Sequence, residues 1–113
     1  MCWEDIKIGR GQDTVSKRVA VAAAAAVTVA GSANERNRLI LAWAGAAPLF
    51  VKFGEAASAT NFDAVISTAN PTHYFRVEDW GETLRHALSV FDALAGGSLG
   101  VTEVSIREKQ WKT

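Results

Sequence analysis

Alternation of large apolar side chains with a period of two residues is the feature that most constrains the fold of this chain. Side chains on one face of a β-strand recur at every second position. Three segments show this spacing clearly: Leu39–Trp43, Leu49–Phe53 and His73–Val77. Short clusters of Gly, Pro, Asn and Ser separate them and are typical of turns. The pattern predicts an all-β domain.

The segment Leu39–Trp43 is apolar on both faces, which predicts a strand in the centre of its sheet. Only Ala44 and the predicted turn Gly45–Pro48 separate it from Leu49–Phe53, so we expect these two strands to form a β-hairpin. Further strands are predicted at Phe62–Ile66 and around Val104–Ile106.

Two segments are ambiguous. Val19–Ala30 contains five consecutive alanines, which favour a helix, but its valines have strand spacing, and we predict two short strands or one bent strand. Leu84–Leu94 fits a helical stripe as well as a strand, and its position between strands favours a strand. Asp79–Glu82 is predicted to be a turn and Ala95–Ser98 a loop. The total of seven or eight short strands predicts a small antiparallel β-sandwich or jelly roll.

The chain has 113 residues, which is the size of one domain. We divide it into an N-terminal arm (1–16), a β-sandwich domain (17–108) and a C-terminal tail (109–113). The arm carries Trp3, Ile6 and Ile8, which gain nothing from exposure to water. It is predicted to pack on a neighbouring subunit as an assembly element rather than on its own core.

Composition excludes several function classes. Twelve basic residues balance twelve acidic ones, so the chain lacks the basic surface that nucleic-acid binding needs. A single cysteine, Cys2, cannot form an internal disulfide or a zinc site without help. The apolar run Val19–Ala30 is too short to span a bilayer and lacks the setting of a signal peptide. We therefore expect no membrane association, and synthesis and retention in the cytosol.

No arrangement of residues predicts catalysis. His73 and His86 are 13 positions apart, without a third ligand at a recognisable spacing. Glu78, Asp79 and Glu82 match no cation-binding loop and are better explained as a solvated turn. The Gly-x-Ser-x-Gly motif of hydrolases is absent. The chain is expected to be a non-enzyme that needs no metal and no cofactor.

Tryptophan is abundant, and three of the four tryptophans lie outside the predicted strands. Because tryptophan is enriched at interface hot spots, these positions predict contact surfaces, although each ring could instead fold back on its own domain. The candidate interface residues are Trp3, Ile6, Ile8, Arg10, Trp80 and Trp111.

The opening Met1–Arg10, the stretch from Asn34 through Gly54 and the closing Val101–Val104 resemble segments of small β-sandwich structural proteins of tailed bacteriophages. The resemblance implies a non-catalytic virion protein that binds other virion subunits and copies of itself. The expected role is capsid decoration or cement, or another head-associated role. The alternatives are a neck or tail accessory protein, or a tip module that binds a carbohydrate or receptor.

Overall fold

The computed structural model describes the backbone of residues 10–108 and the side chains of residues 14–105. A short α-helix, α1 (Val77–Trp80), and a 3₁₀ helix (Gly81–Arg85) lie between the sixth and seventh strands. The strands of this region are β1 (Arg10–Val21), β2 (Val27–Ala30), β3 (Arg36–Gly45), β4 (Leu49–Phe53), β5 (Ala64–Ile66), β6 (Thr72–Arg76), β7 (Leu88–Phe91) and β8 (Gly97–Glu108).

The strands form two antiparallel sheets of four. The first, which we call the long sheet, has the order β1-β8-β3-β6, and the second, the short sheet, has the order β2-β7-β4-β5. Strands that are distant in sequence pair from the outside inwards, β1 with β8, β2 with β7, β3 with β6 and β4 with β5. This winding is that of a jelly roll. The prediction of a small all-β sandwich is confirmed.

The core fills the space between the two sheets. Alternate residues of the central strands point into it, as the period of two predicted. The fully buried side chains that contribute to it from both sheets include Leu39, Leu41, Leu49, Val51, Phe75, Leu88, Val90, Leu99 and Val101.

The predicted hairpin of β3 and β4 is wrong. β3 lies in the long sheet and β4 in the short sheet, so the chain crosses between the layers at Gly45–Pro48. β3 is already paired on both edges, with β8 and β6, and so offers β4 no edge. The crossing is fixed by Trp43, whose indole N–H donates a hydrogen bond of 2.7 Å to the carbonyl of Ala47.

Each ambiguous segment is divided between two elements. In Val19–Ala30 the first valines end β1 and the last begin β2, so the strand prediction is confirmed, and the alanines form the connection. In Leu84–Leu94 the buried Leu84 belongs to the 3₁₀ helix, and the strand is confined to Leu88–Phe91.

Two predicted loops are partly regular structure. The predicted turn Asp79–Glu82 is helical, because α1 continues into the 3₁₀ helix. The predicted loop Ala95–Ser98 ends early, because Gly97 and Ser98 already pair in β8.

The predicted boundary between arm and domain falls inside a strand. Residues 10–16 form the first part of β1 and pair with residues 102–108 of β8. This pairing runs on without a shift in register to the end of β1 at Val21. Residues 1–9 of the predicted arm and the predicted tail, 109–113, lie outside the described part of the chain.

Among the side chains that the structure describes, residues 14–105, two charged ones are buried. The guanidinium of Arg36 contacts Glu103 and backbone carbonyls at one end of the sandwich. The carboxylate of Asp92 accepts hydrogen bonds of 2.9 Å from the backbone N–H groups of Leu94 and Gly96, and so closes the turn between β7 and β8. Both groups have the partners that burial of a charge requires.

Candidate assembly surface

The residues considered for catalysis do not form a common site. The ring of His73 lies 4.5 Å from that of Phe75. Asp79 and Glu82 form exposed ion pairs with the arginines three positions away, Arg76 and Arg85 respectively. Within the part of the chain that the structure describes, no group of three or more His, Cys, Asp or Glu residues has the arrangement to hold a metal ion. No helix of residues 10–108 is long and apolar enough to cross a membrane.

The edges of the two sheets offer the clearest route to interaction with another chain. An edge strand carries unpaired backbone N–H and C=O groups that can pair with a strand from elsewhere. Three of the four edge strands, β2, β5 and β6, are only four, three and five residues long. β2 is also interrupted by an irregularity between Thr28 and Ala30, and β6 follows Pro71 and ends in α1. Such features discourage strand addition.

The fourth edge strand, β1, is different. It is 12 residues long, contains no proline, and pairs with β8 without a shift in register. Within residues 10–108, β8 is the one strand that pairs with it, so its other edge is open.

Side chains of β1 also lack cover. Val15, on the inward-facing side of β1, is 57% exposed, whereas Val21 at the other end of the strand is buried. β1 therefore extends beyond the short sheet, and Val15 has no layer beneath it. Lys17 lies two residues further along β1 on the same face as Val15, is exposed, and places a charge on this edge.

The predicted interface residues are only partly described. Trp80 is half-buried, with its ring 5.1 Å from Phe75 and 5.7 Å from Phe53, so it folds back on its own core. Arg10 begins β1. Trp3, Ile6, Ile8 and Trp111 lie outside the described residues, and their contact role stays a prediction.

Sequence reasoning missed a second surface. On the outer face of the short sheet, Phe50 is flanked by Phe91 of β7 and Val65 of β5, and Phe62 packs on it with a centroid distance of 5.0 Å. We call these four residues the aromatic patch. Phe62 and Val65 are 41% and 40% exposed. The sequence did contain an indication of this surface: Phe50 lies between the inward-facing Leu49 and Val51, so it had to face outwards.

Comparisons with known proteins add a likeness of fold. No protein-family model matches the chain, and no curated protein does. A solved structure of a protein from Bacillus endospore appendages, described as a novel family of disulfide-linked pili, is similar with a TM-score of 0.50 and 16% identity. The match covers 93% of this chain and 95% of that one. At this identity, the likeness is one of fold alone.

Proposed function

We propose that this chain is a non-catalytic structural subunit that assembles in many copies through the open edge of β1. The observation that carries the proposal is the contrast between β1, 12 residues long and open, and the three short edge strands. Strand addition to such an edge forms backbone hydrogen bonds along its whole length.

The N-terminal residues of a neighbouring copy are the proposed partner of this edge. Nine residues precede β1 and include the apolar Trp3, Ile6 and Ile8. Extended, nine residues reach about 30 Å, which is enough to follow most of β1. The inward-facing side chains of a strand at this position lie beside Val15 and reduce its exposure, which is 57% in the single chain.

Two settings fit a subunit of this kind. The sequence resemblance favours a bacteriophage virion, in which the chain binds capsid, neck or tail subunits and its own copies. The second candidate is a surface fibre, and the likeness in fold to an endospore appendage protein favours it. A receptor- or carbohydrate-binding tip is a further alternative, and the aromatic patch gives it an exposed apolar surface.

Removal of residues 1–9 tests the assembly mechanism. The shortened chain should keep its melting temperature, because β1 and the core are intact, and should stay monomeric in sedimentation where the full chain forms particles visible by electron microscopy. A second variant, Val15→Lys, places a charge on the same edge and should weaken assembly. Its control, Asn70→Lys, places the same charge in an exposed loop and should have no effect. Normal assembly of the shortened chain would contradict the proposed contact.

Mass spectrometry separates the two settings. Peptides of this chain should be abundant in purified phage particles if it is a virion protein, and in purified cell-surface fibres if it is a fibre subunit. Absence from both preparations would reject both settings.

A further inference from the structure

The aromatic patch has the properties of a contact surface. Three of the five phenylalanines of the chain belong to it, and the other two, Phe53 and Phe75, are in the core. Phe50 and Phe91 are paired residues on adjacent strands, with ring centroids 6.5 Å apart. Phe62 covers Phe50 and stands highest in exposure among the three rings. Contiguous exposed apolar groups of this kind mark interaction sites.

The opposite face of the sandwich has a complementary shape. On the outer face of the long sheet, Gly100 lies between Arg18 of β1 and Ala42 of β3 in one row across the strands. The next row places Thr102 between Ser16 and Ile40. Because Gly100 has no side chain, these residues enclose a shallow groove of about 340 Å³.

The two faces also differ in charge. Arg18 lies along the groove and donates a hydrogen bond of 3.2 Å to the hydroxyl of Ser98, and it has no carboxylate partner among the described residues. Glu55 lies close to Phe62. The carboxylate of Glu55 accepts a hydrogen bond of 3.3 Å from the side chain of Asn61, the residue immediately before Phe62. No described cation pairs with Glu55.

We propose that the aromatic patch of one copy docks on the outer face of the long sheet of the next copy, with Phe62 in the groove beside Arg18. This proposal rests on the proposed function, assembly of copies, and names a second pair of surfaces for it. In this arrangement the guanidinium of Arg18 lies against the Phe62 ring, a favourable cation–π contact. The same guanidinium faces Glu55, so each unpaired charge gains a partner of opposite sign.

The geometry of the contact determines what it builds. The two surfaces are different faces of one subunit, so the contact is heterologous and repeats into a filament or closes into a ring. The patch spans three strands, and the outer two are about 10 Å apart. Its area is therefore smaller than the roughly 800 Å² that each partner buries in a stable interface. The face contact is therefore weak alone and acts together with the edge of β1.

Assembly of the full-length chain, followed by sedimentation and electron microscopy over a range of concentrations, tests the proposal. Phe62→Ser and Gly100→Val, which remove the projecting ring and fill the groove, should each raise the concentration needed for assembly about tenfold or more. A Cβ at Gly100 meets its nearest neighbour, the Cβ of Ala42, at 3.6 Å, which is an ordinary contact, so the backbone need not move to admit the Cβ. Leu94→Ser is the control and should assemble normally, because Leu94 is outside the patch and is the most exposed large apolar residue of those described.

A charge exchange shows whether the two faces meet. Arg18→Glu should weaken assembly, and the addition of Glu55→Arg to the same chain should restore it, because every contact between copies then joins the exchanged pair. If the unaltered chain forms no assemblies, the proposed function itself is rejected, and this contact with it. If the unaltered chain assembles but the Phe62 and Gly100 variants assemble equally well, the face contact alone is rejected. Loss of assembly in Phe62→Ser without rescue by the charge exchange would show that the patch binds another surface, and would also overturn the proposal.

Discussion

Arg36 and Glu103 form a buried ion pair in which one carboxylate oxygen, Oε1, accepts hydrogen bonds from both Nε and Nη2 of the guanidinium, at 3.1 and 3.0 Å. Arg36 has no exposed surface, and the side chain of Glu103 is 20% exposed. Nη1 donates to the carbonyls of Leu84 and His86 at 2.8 and 3.0 Å, and Nη2 donates to the carbonyl of Gly31. The five N–H groups of the guanidinium thus join β3, β8, the 3₁₀ helix and the loop before β3.

Substitution of Arg36 should strongly destabilise the domain. Arg36→Ala leaves three backbone carbonyls and the Glu103 carboxylate without this donor, and loss of one partner of a buried pair costs about 3–5 kcal/mol. A domain of this size has only about 5–15 kcal/mol of stability, so Arg36→Ala could unfold it, and a milder variant is needed as well. Glu103→Gln should cost about 1 kcal/mol through loss of the charge-assisted hydrogen bonds. Urea denaturation measures both. Arg76→Ala is the matched control, since its pair with Asp79 is about half exposed, and it should change stability by less than about 0.5 kcal/mol. Equal effects at Arg36 and Arg76 would show that the buried pair is not a structural centre.

Gly97 should not tolerate a side chain. A Cβ at this position would lie 2.4 Å from the carbonyl oxygen of Ala44 and 2.9 Å from the Trp43 ring. Gly97→Ala should therefore cost about 1–3 kcal/mol in thermal unfolding, because backbone must move. Gly31→Ala introduces the same methyl group where no atom lies within 4 Å, and it should be neutral to within about 0.5 kcal/mol. A neutral Gly97→Ala would mean that β3 and β8 are less closely packed at this point than the structure shows.

Asp92 should be required for the turn between β7 and β8. Asp92→Ala removes the acceptor of the Leu94 and Gly96 N–H groups, and unsatisfied groups of this kind cost about 1–3 kcal/mol. Hydrogen exchange of these two amides should accelerate, and the melting temperature should fall. Asp79→Ala, which alters an exposed carboxylate, is the comparison and should leave both quantities unchanged. Unchanged exchange in Asp92→Ala would rule out the carboxylate as the organiser of the turn.

Assembly should not depend on disulfide bonds between many chains. The sequence contains one cysteine, Cys2, and one thiol can join only two chains, so a disulfide cannot link a continuous fibre. Non-reducing gels should show monomers or dimers, and particles of Cys2→Ser should be normal and should resist reducing agents. Particles that dissociate on reduction would contradict non-covalent assembly.

The sequence predicted best where a local pattern and the tertiary structure agree. Residues such as Leu39, Leu41 and Phe75 have the period of a half-buried strand, and their burial follows from it. The crossing at Gly45–Pro48 could not be predicted in this way, because a short connection between strands suggests a hairpin unless the edges of β3 are known to be occupied. The jelly-roll winding is a property of distant pairs, such as Arg10 with Glu108, and leaves no local signal.

Surface sites were harder to predict for the same reason. The aromatic patch joins Phe50, Phe62 and Phe91 from three separate segments, and only the sheet brings them together. Arg36 appeared in the sequence as one of several charged residues before a strand. Its burial depends on the carbonyl of Leu84 in the 3₁₀ helix, 48 positions later, and on that of His86 just after this helix, 50 positions later. The sequence instead indicated the tryptophans as interface residues, but Trp80 packs on the core.

The pairing of β1 with β8 also sets the order in which the molecule matures during its own synthesis. β1 ends at Val21, and the strand that pairs with it begins 76 positions later, at Gly97. At about 5–20 residues per second, the ribosome needs roughly 4–15 s to make that interval. Until then β1 has no partner on either side, so the edge proposed for assembly does not exist in an unfinished chain. A truncated product that ends before β8 therefore cannot present this edge, and assembly through it, as proposed above, would admit only subunits that contain β8.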